Sequence, residues 1–281
     1  MSEVNSRKAE NQSLTGKRNK RFLEVRKPVS RRQKILSGVG IWAVFFAVWY
    51  LSTHAGWVNK LLVPAPEQVF GSLYELIAER GFMSDIGISI ARVIGAFLMA
   101  SVVAVPLGIL MGTFPAIEAI FAPFVSAWRY LPAPSFIPIL LMWFGTGEAP
   151  KLALLFIGVI FFLITLVMDA TKNVRAELIE TALTLGANRR ITLFNVVLPA
   201  VLPDVMVAMR QMLAMAWTYL VIAEIVASTT GIGAMMMRAR RFLNTDEILA
   251  GILVIGALGL LFDLLFAQLH RWLFPYLREK R

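Results

Sequence analysis

No cysteine occurs among the 281 residues, so disulfide staples and thiolate chemistry are excluded. Charge is also scarce. Asp, Glu, Lys and Arg make up 16% of the chain, against about a quarter in a soluble domain. The only two histidines, His54 and His270, lie far apart, and neither G-x-S-x-G nor H-E-x-x-H is present. A hydrolytic nucleophile or a zinc site of those kinds is therefore excluded, and no catalytic or metal-ligating residue is expected. The phosphate-cradling pattern G-x-x-x-x-G-K-[ST] is missing too, so no nucleotide is expected to bind this chain through such a loop.

Apolar side chains are what the chain has in abundance. They make up 58% of the residues, with a mean hydropathy of +0.68, and they fall in long blocks separated by short polar or proline-containing stretches. That distribution reads as an all-α, polytopic membrane bundle with about six transmembrane helices. The blocks run at about residues 35–52, 86–112, 116–130, 150–169, 203–227 and 248–272. The first ends in Trp49, Tyr50 and Trp57, aromatics suited to a membrane interface, and no cleavage pattern follows it, so it is expected to remain as a helix. After Pro66, the spacing of Val69, Leu73, Leu76 and Ile77 predicts an amphipathic helix outside the hydrocarbon. LPAPSFIPILLMWFG breaks the helical pattern at Pro132, Pro134 and Pro138. Broken backbone at membrane depth requires cover by protein or a water-filled cavity.

The net charge of +10 is concentrated at the start, where Arg7, Lys8, Lys17, Arg18, Lys20, Arg21, Arg26, Lys27, Arg31, Arg32 and Lys34 face only Glu3, Glu10 and Glu24. Basic residues before a first apolar block signal a cytoplasmic N-terminus. A nucleic-acid arm would have the same charge, but no stacking platform or recognition helix accompanies it. Residues 1–34 are thus expected to be a cytoplasmic and largely disordered arm, 35–275 the membrane domain, and 276–281 a basic cytoplasmic tail. Six spans place residues 170–200 in the cytoplasm, where Lys172, Arg175, Arg189 and Arg190 agree with the charge rule. Arg238, Arg240 and Arg241 would lie outside, and they either pair with acids such as Asp246 and Glu247 or have a task there.

The stretch from Glu180 to Gly186 predicts a helix ended by a left-handed glycine, with a second short helix before Pro199 and Pro203. A polar hairpin of this length, with Leu183 and Leu185 beside charged neighbours, suits a knob for a partner's groove. Its spacing, Glu180, Thr181 and Ala182, then Gly186, then Val196, Leu198 and Pro199, resembles the E-A-A-x3-G-x9-I-x-L-P coupling loop of binding-protein-dependent importer permeases. Thr181 replaces the second alanine and Val196 the isoleucine. VPAP (63–66), SIARVIGAF (89–97), PLGILMG (106–112), IPILLMWFG (137–145) and AEIVASTTGIG (223–233) resemble the branch of that family importing nitrate, sulfonates, taurine and bicarbonate.

The resemblance implies the type I ABC importer permease fold in a bacterial inner membrane, with both termini cytoplasmic. It also implies two separate ABC ATPase subunits, which carry the ATP and magnesium, and a second copy of this chain. A periplasmic or lipid-anchored substrate-binding protein and the lipid bilayer complete the partners, and nucleic acid is not among them. The coupling helix would dock in a cleft of the ATPase. Two other classes stand beside this one: an ion-coupled secondary transporter and a membrane-embedded enzyme. The first should show paired broken helices, and no second copy of the LPAPSFIP break is seen. Copurification with an ATPase separates them.

Charges inside spans cost about 2.5–3.5 kcal/mol on insertion scales, so each is a functional hypothesis. Arg92 is expected to snorkel to the interface. Arg210 and Gln211 are expected to contact backbone carbonyls or the hairpin. Asp263 is expected to pair with a neighbouring helix, and His54 and His270 to be interfacial. Glu224, near Thr218 and Tyr219, is a candidate for the translocation path, the alternative being a structural partner such as Arg92 or Arg129. Arg129, Pro134 and Ser135 at the broken stretch are further path candidates, set against an ordinary kinked packing helix. Gly108 and Gly112 permit close helix packing.

Overall fold

The computed structural model describes residues 30–59 and 61–280, and every regular element among them is helical. The basic arm read from the sequence therefore falls mostly outside the described residues, as does Arg281. The chain divides at Leu51/Ser52 into two compact units. The first contributes most of α1 (Arg31–His54), a helix apolar on all sides with Trp42, Phe45, Phe46 and Trp49 in edge and stacked contact along it. A helix without a polar face suits a lipid surround.

The second unit is built on three long helices: α3 (Phe82–Thr113), α6 (Ala149–Lys172) and α8 (Leu198–Ala227). Their shared core holds Val93, Phe97 and Ala100 of α3, Leu155, Val159 and Leu163 of α6, and Val201, Leu213 and Leu220 of α8. Where α3 crosses α6 the helices approach until no side chain fits between them. A Cβ on Gly108 would lie 2.7 Å from that of Val167, and one on Gly112 would lie 2.5 Å from that of Thr171. The small-residue spacing seen in the sequence is therefore a genuine contact. α10 (Thr245–Leu273) leans on this core through Phe262 against Trp217 and Phe266 against Phe97. Its outer side carries Leu260, Leu261, Leu264 and Leu265 exposed.

Among the described residues, five helices are long and apolar enough to cross a membrane. The third expected span is the exception. α4 (Pro115–Arg129) has 15 residues and is about 22 Å long, short of a hydrocarbon core of about 30 Å. The crossing continues past the expected end at Tyr130 through a 3-10 turn (Ala133–Phe136) into α5 (Ile137–Phe144). The two halves run between opposite ends of the same bundle. Glu118 in the first turn of α4 meets Lys172 at the end of α6, while Ile137 and Leu140 of α5 share a small hollow with Pro150 and Lys151 at its start. The prolines remove donors and force the break. Trp128 holds it by stacking on Phe136 at 5.6 Å and Phe161 at 5.5 Å.

One end of the bundle carries α2 (Pro66–Ala78) and α9 (Ile232–Arg241); α2 is amphipathic as expected at Val69 and Leu76, which are buried, whereas Ile77, expected on the same side, is exposed. The other end carries the hairpin between α6 and α8. At the α9 end the expected pairing of the arginines is corrected. Arg238 bonds Asp85 at 2.8 Å, because Asp85 lies on the adjoining turn of α3. Asp246 instead accepts from Ser72, and Glu247 accepts from Arg80 and Asn244, both at 2.8 Å. His54 faces Glu67 at 3.2 Å.

The close crossing yields a direct test. Gly112→Ala should destabilise the detergent-purified chain by about 1–3 kcal/mol through overpacking, read as a lower thermal midpoint. Gly256→Ala, where a Cβ meets nothing within 4 Å, should leave the midpoint unchanged.

Candidate functional site

α6 ends at Lys172, and the hairpin helix opens at Arg175, whose ψ of 123° is extended. α7 (Ala176–Thr184) follows, and none of its residues is buried. Thr181 and Thr184 donate to the carbonyls of Glu177 and Glu180 one turn back. The helix then closes on Gly186 at φ +86°. The Gly186 N–H donates to the Leu183 carbonyl and the Ala187 N–H to the Ala182 carbonyl, both at 2.9 Å. That pair of bonds is a Schellman cap, which needs the left-handed residue that glycine supplies without penalty.

Asn188 opens the return limb by accepting from the Ile191 N–H at 3.0 Å. The return limb differs from the separate short helix expected from sequence. A turn at Arg189–Ile191 passes into a π-helical turn at Thr192–Val197 and then directly into α8. The wide turn gives room to the Pro199 ring, which would otherwise strike the carbonyl four residues back. Of the hairpin residues singled out by sequence, Glu180, Thr181, Leu183, Leu185, Gly186 and Pro199 are exposed. Ala182, Val196 and Leu198 are half-buried beneath them. Leu185 is 82% exposed and Leu183 53%, with Ile191 and Phe194 also open on the return limb. The arrangement offers apolar side chains flanked by carboxylates on a rigidly capped turn.

The opposite end holds a buried ion cluster. Asp85, Ser89 and Arg92 occupy positions i, i+4 and i+7 of α3 and so share one face. Arg92 does not snorkel. It is 3% exposed, and all five of its N–H groups have acceptors. Nε and Nη2 grip the two oxygens of Glu148 at 2.6 and 2.7 Å, Nη1 reaches Glu224 at 2.7 Å and the Thr230 carbonyl at 2.8 Å, and Nη2 also bonds the Thr230 hydroxyl at 2.9 Å. Glu224, fully buried, accepts in addition from the Ser89 hydroxyl at 2.7 Å and from the Gly233 N–H at 2.8 Å. Ser89 accepts from the Ile232 N–H and Asp85 from the Gly231 N–H. Lys151, itself buried, donates to Glu148 at 2.8 Å. The hydrogen bonds from Arg92, then that from Lys151, hold the Glu148 carboxyl down to about 2, so it is ionised throughout the physiological pH range. The loop at 228–231 and the start of α9 are thereby fastened to α3.

Among the path candidates, the structure supports the partner role for Glu224, since it has no open surface in this chain. Thr218 and Ser135 are exposed, Pro134 is half-buried, and the half-buried Arg129 lies over the ring of Tyr130 at 5.5 Å. No hydrogen bond or ion pair among the described residues joins any two of these five. Arg210 takes neither a carbonyl nor the hairpin. It grips Asp263 of α10 through two bonds of 2.5 Å, which is the helix pairing expected of that aspartate. Ser89, Glu148, Lys151 and Thr230 escaped the sequence reading. The polar stripe on an apolar helix was the one available signal.

Residues 104–279 match the family described as binding-protein-dependent transport system inner membrane component. The taurine transport system permease protein of Escherichia coli is 32% identical over 268 residues, covering 94% of this chain and 97% of that protein. A putative aliphatic sulfonates transport permease protein of Bacillus subtilis is 30% identical, covering 89% and 91%. A bicarbonate transport system permease protein of Synechococcus elongatus is 25% identical, covering 82% and 86%. The solved inward-facing structure of the MetNI methionine ABC transporter shares the fold with a TM-score of 0.61 at 19% identity, over 68% of this chain and 94% of that one. The chain belongs to the family of binding-protein-dependent transport system inner membrane components, as a permease subunit of an ABC transporter and not an enzyme.

Proposed function

We propose that this permease imports a small anion of the sulfonate, taurine, nitrate or bicarbonate class, driven by two separate ATPase subunits that grip the hairpin. The observation that carries the reading is α7 itself: a helix of 9 residues with no buried side chain. So short a helix is marginal in isolation, yet here it is capped at its end and presents Leu183 and Leu185 outward. Its own bundle gains nothing from those leucines. A cleft in a partner would bury them.

ATP and magnesium then sit on the partner, and closure of the ATPase pair moves the hairpins of two copies of this chain between inward- and outward-open states. The differential contact of the hairpin with the open and closed ATPase drives that exchange. A binding protein delivers the anion at the α9 end. The hairpin end faces the cytoplasm, where Lys172, Arg175, Arg189 and Arg190 satisfy the charge rule. Arg80 and Arg238 at the opposite end are matched by Glu247 and Asp85. Both termini lie in the cytoplasm of a bacterial cell on this reading, which the basic residues before the first apolar block and after the last one support. The named transport systems of the relatives supply the anion class. An ion-coupled carrier or a membrane enzyme would have no use for an exposed, capped hairpin.

Two outcomes are expected. Gly186→Val forces a β-branched side chain to φ +86°, at a cost on the order of 1–3 kcal/mol confined to the cap. The bundle should express normally while ATPase copurification and uptake both fall, and retained uptake at normal expression counts against the role. Because the chain lacks cysteine, Leu185→Cys and Phe242→Cys each give a single label site. An impermeant maleimide should reach Phe242→Cys from outside intact cells and Leu185→Cys only in inverted vesicles. The reverse pattern contradicts the orientation.

A further inference from the structure

Glu148 is the member of the ion cluster that stands at the surface. Its side chain is 55% exposed, whereas the two cations it bridges, Arg92 and Lys151, are 3% and 4% exposed. It lies on the short connection from α5 to α6, just after Gly145 at φ +72° and Gly147, around both of which a Cβ would meet open space. The third charge, Glu224, is fixed from all sides and already occupies Nη1 of Arg92. Nε and Nη2 of Arg92 therefore form a preset fork for two oxygens held side by side, with the Lys151 ammonium on one of them.

We infer that this fork is an anion site closed by an internal stand-in, in which the Glu148 carboxylate occupies the seat of a small oxyanion such as a sulfonate, carboxylate or nitrate. The inference rests on the permease reading above and identifies where the anion is first held by the membrane chain. A guanidinium edge takes planar paired oxygens in two parallel bonds. The same geometry serves two oxygens of a sulfonate or a nitrate.

Charge balance requires an occupant. Without Glu148, Arg92 and Lys151 face Glu224 alone, leaving one uncompensated positive charge below the surface, which a bundle of this kind tolerates poorly. An entering anion restores neutrality as the half-exposed Glu148 side chain swings out to solvent. The start of α6 adds its dipole in the same sense. The tethered carboxylate also keeps the site weak. It competes at an effective concentration on the order of millimolar, so an anion exchanges through the site and is not trapped. That is what a permease needs at the end where its cargo arrives.

The test uses the permease with its cognate ATPase in phosphatidylcholine nanodiscs, titrated with sodium methanesulfonate and with sodium nitrate and followed by thermal unfolding. Glu148→Ala should show a saturable rise in midpoint with both salts, at an apparent affinity about ten-fold or more above wild type. Wild type serves as the control for ionic strength. A Glu148→Ala complex that responds no more than wild type overturns the inference. Where that variant fails to assemble, Glu148→Gln, which keeps the side-chain shape but not the charge, should show the same gain, and its absence is equally decisive. Wild-type uptake of taurine alongside an unresponsive variant rejects this site and leaves the permease reading standing. A preparation that never retains an ATPase removes both.

Discussion

Arg92 enters an apolar helix one turn after Ser89 and finds an acceptor for every N–H it carries. A charge so placed costs several kcal/mol unless it is matched, and removing one partner of a buried pair costs about 3–5 kcal/mol. The matching groups come from separate stretches of sequence: Glu148 before α6, Glu224 near the end of α8, and Thr230 in the loop beyond it. Satisfying one guanidinium thus fixes the relative position of three long helices at one end. It also dictates local sequence. A Cβ on Gly231 would overlap the Glu224 carboxylate, and its φ of +102° suits glycine in any case.

The two ends of the bundle are consequently different in kind. The α9 end is fastened by ion pairs that draw on α3, α6, α8, α9 and α10, and by a hydrogen bond from Ser72 of α2 to Asp246. At the hairpin end α3 and α6 touch directly through Gly108 and Gly112, and beyond that crossing lies a capped helix with no fully buried residue. A force applied to the hairpin passes straight into α8, because the π-helical turn at Thr192–Val197 joins the two without a flexible connection. On the function proposed above, such a geometry would carry movement of a docked ATPase into a membrane helix.

Much of this was legible in the residues. Long apolar blocks fixed the all-helical bundle, and fixed spacing located the hairpin and its glycine. Gly108 and Gly112 were read as a close approach and are one. The third crossing was legible only in part. Prolines announce a break, but α5 is too short to register as a span, so the continuation to Phe144 needed the contacts at both ends of α6. Ion pairing was read with mixed success. Asp263 was assigned a helix partner, but Arg92 was assigned to the interface, and Arg238 to acids such as Asp246 and Glu247 or to a task outside, where it in fact pairs with Asp85. Spacing within a helix reveals which polar groups share a face. It does not reveal which distant helix supplies the counter-charge, and Glu148, in a loop of glycines, has no periodic pattern at all.

The most direct measurement concerns what the exposed hairpin touches in the cell. A photo-crosslinking amino acid placed at Leu183 and irradiated in intact cells should give one dominant adduct, with a nucleotide-hydrolysing subunit identified by mass spectrometry. The same group at Trp143, which is 65% exposed at the far end of the bundle, should not. A Leu183 adduct with lipid alone, or the ATPase captured equally from Trp143, would contradict the assignment of the hairpin as the point where the driving force enters.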